Sequence, residues 1–357
     1  MELEMATLYL TEQQTLVKKE GDTLLVCIPA DKDSGRPKKD VRVPLMKIDR
    51  VVVQGNATLT SPAIAALMER RAEVTFLSLH GRFEGHLAPA FSRNGQLRLA
   101  QTAAHVDPAR AHLLARAFVV GKMANMRTML LRANRKRENE ALAAATEAIR
   151  RVMTDAAALP PDATAADPAR PQADSAYGRL QGLEGAATAA YFGSFRHVLR
   201  QPELFNGRTR RPPRDPVNAL LSYGYTILLH QVTSAVCTVG LDPYVGYLHS
   251  TQFGKPALAL DLMEEFRPLI VDSVVLSALN NGVLSKRDFV EEFGAWQLTD
   301  GGRRAFLTKL EERFDETITH PTFEYKATYR RCLELQARLL AKALTGEIAA
   351  YPAFVTR

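Results

Sequence analysis

The chain has 357 residues, a length that suggests about two domains, and a hydrophobic fraction of 46% that can build an ordinary globular core. Its net charge of +7 favours a polyanionic partner, nucleic acid ahead of an anionic membrane. Cys27, Cys237 and Cys332 are odd in number, far apart and without a CxxC pair, which excludes a disulfide framework and a cysteine zinc site and fits a reducing cytosol.

The opening residues MELEMATLYLTEQQ carry acids where a secretory signal carries bases, and no apolar stretch follows. The most apolar long segment, Val217 to Val239, is interrupted by Asn218, His230 and Gln231 and reads as a buried helix. A cytoplasmic protein with no membrane span is expected. Residues 1–92 then read as a β-rich domain: TLYL, TLVKK, TLLVCI, VRVPL, DRVVVQG, EVTFLS and RFEGHL are short and β-branched or aromatic, with turn formers between them. Glu20-Gly21-Asp22 suits a hairpin turn, and Asp31 to Lys39 a mobile loop. One helix interrupts the strands, with Ser61 as N-cap and Pro62 in its first turn.

Residues 93–106 read as a linker, after which the period becomes helical from the Asp107-Pro108 start. Amphipathic stretches are expected over about 108–133, 138–158, 176–198, 216–239, 257–281, 302–317 and 322–345, with 346–357 as a C-terminal tail. The Pro/Ala/Asp-rich run at 159–174 has almost nothing to bury and reads as disordered. The fold class is α+β in two domains, the helical one spanning 107–345.

Chemistry concentrates in the helical part. LALDLMEEFRP places Asp261, Glu264 and Glu265 within five residues of an apolar segment, where carboxylates are costly unless paired or metal-bound. Asp261 and Glu264, three apart, share a helix face. A solvated acidic face is the plainer reading of this helix alone. In LQGLEGAATAAYFGSF, however, Leu180, Glu184, Ala187, Thr188 and Tyr191 share one stripe, so Glu184 lies on the face that should be buried. Its neighbours Gly182 and Gly185 are expected to leave room for a close backbone or ligand. His249 closes the loop DPYVGYLHS; a lone histidine there is more often structural. Taken together, an inward Glu, a His and an Asp-x-x-Glu pair offer the donors that Mg²⁺ or Mn²⁺ takes, imidazole tilting the choice toward Mn²⁺. Between Arg196 and Arg214 six arginines face a single acid, Glu203, and Arg forks match phosphate oxygens. Arg208, Arg210, Arg211 and Arg214 are the candidate nucleic-acid contacts.

The blocks QGLEGAATAAYF, RPPRDPVNALLSYGYTILL, GLDPYVGYLHS, ALALDLMEEFRPLIVD, LNNGVLSKRDF and LTDGGRRAFL, in this order, resemble the CRISPR-associated integrase and endonuclease family of spacer acquisition. The resemblance spans roughly residues 6–345. It implies a β-rich dimerisation domain, a helical catalytic domain, and metal ligands at Glu184, His249 and Glu264, with Asp261 assisting. Many relatives carry Asp where this chain has Glu264, whose longer arm can reach the same ion. The implied activity is Mg²⁺- or Mn²⁺-dependent insertion of prespacer DNA into a CRISPR array, its 3′-hydroxyl ends attacking phosphodiesters of the repeat, as part of antiviral defence. With water as nucleophile the same site is an endonuclease. Implied partners are double-stranded DNA, a second copy of the chain, and a small ferredoxin-like companion adaptation protein. Two rival readings share these residues. One is a catalytically silent DNA-binding scaffold; the other is a metal-dependent phosphoesterase that cuts without integrating.

Overall fold

The computed structural model describes residues 6–31, 35–70, 72–79, 83–87, 94–135, 138–161, 175–209 and 211–356. The chain divides into two compact units, Met1–Phe91 and Ser92–Arg357.

The first unit holds β1 (Ala6–Leu10), β2 (Thr15–Glu20), β3 (Thr23–Ile28), β4 (Lys39–Pro44), β5 (Ile48–Gln54), β6 (Ala57–Leu59), α1 (Ser61–Glu69), β7 (Glu73–Leu77) and β8 (Phe83–Leu87). They make two four-stranded sheets, in orders β1-β5-β7-β8 and β4-β3-β2-β6. The pairings are parallel for β1–β5, β5–β7 and β2–β6 and antiparallel elsewhere. The β2–β3 hairpin turns at Gly21, whose φ of 56° lies in the left-handed region that glycine takes without strain. Alternation along the strands sends Val17, Leu24 and Val26 of one sheet, and Val51, Val53 and Val74 of the other, into one core that Ala63 and Leu67 of α1 complete. The segment expected as a loop over Asp31–Lys39 is pinned by a bridge between Asp31 and Arg36, and Lys39 already opens β4; residues 32–34 fall outside the described set.

In the second unit come α2 (Gly95–Val106), α3 (Pro108–Asn134), α4 (Glu140–Ala158), α5 (Ala176–Phe195), α6 (Pro216–Val239), α7 (Ala257–Met263) and α8 (Ser273–Asn280). The hairpin β9 (Phe289–Glu292) and β10 (Ala295–Leu298), α9 (Asp300–Asp315), the pair β11 (Thr317–Thr319) and β12 (Lys326–Thr328), and α10 (Tyr329–Thr345) follow. Caps explain the boundaries. Asp107 accepts from the backbone N–H of Ala109 and Arg110, and Asp215 from that of Asn218, each ahead of a proline in the first turn. Gly240 and Gly346, both left-handed, close α6 and α10.

Four expectations need correction. Residues 94–106 are no linker: Asn94 caps α2, whose Leu97, Gln101 and Ala104 are buried. The helix expected over 257–281 is broken, ending at Met263, passing through a turn and a π-helical segment, Pro268–Asp272, and resuming at Ser273. Pro268 lacks the N–H that a continuous helix needs at that point. The helix expected from 322 begins at Tyr329, because residues 326–328 pair with β11. The final residues, expected as a C-terminal tail, pack into the fold, with Tyr351 and Phe354 buried at 6% and 0% exposure. The run at 159–174, expected to be disordered, lies outside the described residues from 162 onward.

Candidate metal centre

Four segments of the second unit bring the site together: α3, α5, the loop before α7, and the turn after it. The loop is held from beneath. Gln101 on α2 donates to the carbonyls of Asp242 (2.8 Å) and Val245 (2.9 Å) and accepts from the Asp242 N–H (2.8 Å). His105 Nδ1 lies 2.7 Å from the Gly246 carbonyl, and the Tyr177 hydroxyl donates to the Leu248 carbonyl. The stretch expected as a linker thus carries the platform for His249.

Asp261, wholly buried, organises the end of that loop. Oδ2 accepts from the N–H of Tyr247 (2.5 Å) and Leu248 (2.9 Å); Oδ1 accepts from the N–H of His249 (2.8 Å) and meets His249 Nδ1 at 2.8 Å. With so many donors aimed at it the carboxylate is an acceptor, so His249 Nδ1 is the donating nitrogen and Nε2 is the one turned outward from Asp261. A carboxylate behind a histidine in this way fixes the tautomer and orientation that a metal ligand needs. Nε2 then points toward Glu264, 3.8 Å from its Oε1.

Glu264 is 3% exposed and surrounded by cations. Arg267 Nη2 lies 3.2 Å from Oε1, and Lys122 Nζ 2.8 Å from Oε2. Burial on its own would raise the carboxyl pKa; Arg267, Lys122 and His249 outweigh it and hold Glu264 at about 2. Oε2 has this ion pair but no aligned hydrogen bond. Across the same ammonium stands Glu184, which pairs with Lys122 through Oε1 and accepts from Thr188 Oγ1 at 3.0 Å. Gly182 and Gly185 did not turn out to admit a neighbouring backbone: a Cβ at either would meet nothing within 4 Å. Glycines that do stand close to the carboxylates of LALDLMEEFRP are Gly246, beside Asp261, and Gly121, beside Glu265.

Glu265, which shares the LALDLMEEFRP stretch, belongs to a different network. Its Oε2 accepts from the N–H of Phe354 (2.7 Å), the Tyr351 hydroxyl (3.2 Å) and Gln336 Nε2 (3.2 Å). Burial pushes its pKa to about 8 against those bonds. The three neighbouring carboxylates therefore have three separate supports: a loop, a set of cations, and the C-terminal segment.

Sequence reasoning missed Lys122, Asn125, Gln101 and Arg267. A usable signal existed for Lys122, which stands four residues after Phe118 and seven after Ala115 on the buried stripe of α3, the same anomaly that singled out Glu184. Among the described residues no three His, Cys, Asp or Glu side chains stand close enough to hold a metal; the Lys122 ammonium stands between the two glutamates. The donor set itself, two carboxylates and an oriented imidazole, suits a hard or borderline divalent ion.

The arginine loop divides. Arg208 is drawn inward: Nη1 donates to the Thr209 carbonyl (2.6 Å) and to Asn218 Oδ1 (2.8 Å), and its guanidinium lies over Phe192 and Tyr225 at 5.8 and 5.6 Å from the ring centres. Arg211 and Arg214 are exposed, and Arg210 falls outside the described residues. The Trp296 N–H of β10 holds the loop through the Pro213 carbonyl at 2.9 Å.

A β-rich unit followed by a helical one, which brings two glutamates and a carboxylate-backed histidine near one lysine, defines the class of two-domain α+β protein to which the chain belongs. Residues 8–312 match the family described as CRISPR associated protein Cas1, and the chain belongs to that family. It is 36% identical to "CRISPR-associated endonuclease Cas1 3" of Thermus thermophilus, covering 99% of this chain and 98% of the relative. It is 41% identical to the "CRISPR-associated exonuclease Cas4/endonuclease Cas1 fusion" of Geobacter sulfurreducens, of which it spans 60% of the length while 98% of this chain is covered. Among solved structures, a CAS1 protein from Thermotoga maritima shares the fold with a TM-score of 0.76 at 24% identity, covering 99% of this chain and all of that one. The chain in a structure titled "Cas6-RT-Cas1--Cas2 complex" matches with a TM-score of 0.75 at 26% identity; all of this chain and 36% of that one are covered.

Proposed function

We propose that the chain is a metal-dependent DNA endonuclease and integrase that joins the 3′-hydroxyl ends of prespacer DNA to phosphodiesters of a CRISPR repeat. The observation that carries this reading is that Glu184 and Glu264 meet on Lys122 with His249 Nε2 3.8 Å from Glu264, in a chain whose full-length relative is named an endonuclease. Glu184, Glu264 and His249 Nε2 would hold Mg²⁺ or Mn²⁺, which when bound polarises the scissile phosphate and stabilises charge in the transition state. Asp261 orients His249, and Arg267 keeps Glu264 ionised and in place. Arg211 and Arg214 position DNA through phosphate contacts, which carry no sequence information of their own. Relatives named in complexes containing Cas2 support a small companion protein, expected to be ferredoxin-like. A homodimer formed through the β-rich unit completes the assembly; sedimentation of a monomer at micromolar concentration would remove that part.

The test is a strand-transfer assay with labelled prespacer and a repeat-bearing plasmid, in Mn²⁺. Glu184→Ala, His249→Ala and Glu264→Ala should each abolish transfer and nicking while DNA affinity in EDTA holds steady or tightens slightly, because a negative charge leaves the phosphate's place in the two Glu variants. Near-normal transfer by Glu184→Ala would overturn its assignment, and nicking without joining by the unaltered protein would reduce the activity to hydrolysis.

A further inference from the structure

Lys122 is the cation in the middle of the site, and neither the motif pattern nor the proposed chemistry uses it. Its side chain is 4% exposed and pairs with Glu184 on one side and with Glu264, 2.8 Å away, on the other. Glu264 is buried and Glu184 is 26% exposed, and an unpaired buried carboxylate with a second one across from it is costly without a positive charge between them. Arg267 cannot supply it for both, because it reaches Glu264 Oε1 while its guanidinium stacks 4.8 Å from the ring centre of Tyr225. α3 is also fixed just beyond this point. Asn125, one turn on from Lys122 and wholly buried, donates to the carbonyls of Glu265 (2.8 Å) and Phe354 (2.7 Å) and accepts from the N–H of Thr356 (3.0 Å). The backbone that carries Lys122 is thereby tied to the residue next to Glu264, while its four-carbon arm remains a flexible one.

We propose that Lys122 is a built-in counter-ion that holds Glu184 and Glu264 in register before metal arrives, and that the divalent ion enters by displacing its ammonium. A divalent ion on the same two carboxylates would stand close to the ammonium, and the two cations repel strongly where water is scarce. Lys122 is in this sense a positioning residue that competes with the ion it prepares the site to receive. The proposal rests on the metal assignment made under the proposed function.

Three measurements test it on the full chain. Lys122→Met keeps the length of the arm and removes the charge. Mn²⁺ titration by calorimetry should then show binding tightened by roughly tenfold or more relative to the unaltered protein, and thermal melts should show lower stability in EDTA with a larger rise on adding Mn²⁺. A lysine with a purely structural role would lower stability without tightening Mn²⁺. Equal or weaker Mn²⁺ binding by Lys122→Met overturns the proposal. The unaltered protein gives a readout that does not depend on whether the variant folds: reductive methylation followed by mass spectrometry should label Lys122 slowly in EDTA and several-fold faster in Mn²⁺. Labelling indifferent to Mn²⁺ also overturns it. If the unaltered protein binds no Mn²⁺ at all, the metal assignment and this proposal fall together; if it binds and either arm fails, only the exchange is refuted.

Discussion

Gly246 has almost no free space around it. A Cβ there would stand 2.6 Å from the Ala257 carbonyl carbon and 2.8 Å from Asp261 Oδ2, the oxygen that holds Tyr247 and Leu248. Gly246→Ala should therefore cost about 1–3 kcal/mol of overpacking. It should also weaken Mn²⁺ binding through a displaced His249, which melts and calorimetry on one preparation would separate. Asp261, for its part, does more than the assisting role expected of it. Asp261→Ala leaves three backbone N–H groups without their acceptor, so strand transfer should fall together with thermal stability, beyond a partial loss of activity alone. His320, fully buried against Phe323 and Phe354, is a separate titration. Burial pushes its pKa from 6.5 to about 4. The unfolded chain takes up this proton first as pH falls, so the contribution is whole above about 6.5 and is lost progressively toward about 4. Urea unfolding between those limits should show stability falling with pH, and His320→Asn should flatten that slope.

Among elements, α2 and the last residues support the site by hydrogen bonds, and neither contains a proposed ligand. Gln101 satisfies three backbone groups of the Asp242–Val245 segment. Replacing it with Leu leaves them buried without partners, at about 1–3 kcal/mol each for those that water cannot reach. Gln101→Leu is expected to lower both the melting temperature and nicking, while DNA affinity in EDTA stays unchanged. The C-terminal segment packs on the other side. Removing residues 351–357 takes from Glu265 two of its three hydrogen-bond donors, Tyr351 and the Phe354 N–H, and uncovers Phe266, whose ring stacks on that of Phe354 at 4.7 Å. A truncated protein should melt lower and lose strand transfer although every proposed ligand remains; unchanged melting would mean the segment is only laid on the surface.

At the scale of the whole molecule, the proposed DNA contact draws on the net charge of +7 and on the exposed Arg211 and Arg214. Neutralising both should reduce the slope of log affinity against log salt by roughly one unit for each phosphate that no longer meets an arginine, alike for every DNA sequence. Arg208→Ala should instead lower stability, because its guanidinium is committed to Asn218, Thr209 and two aromatic faces. Among the described residues no helix is long and apolar enough to cross a membrane. Sequence alone determined the division into a β-rich and a helical unit, the starts at Asp107-Pro108 and Asp215-Pro216, and the suspicion attached to Glu184, since periodicity and capping act between near neighbours along the chain. It could not show that Asp261 faces a loop, Glu264 a group of cations and Glu265 the chain's end, though all three lie within five residues. Nor could it place Lys122, 62 residues from Glu184, between the two glutamates. Those partners come from α3, α5, α10 and the C-terminal segment, and only packing brings them together. A buried charge takes its state from whatever surrounds it in space.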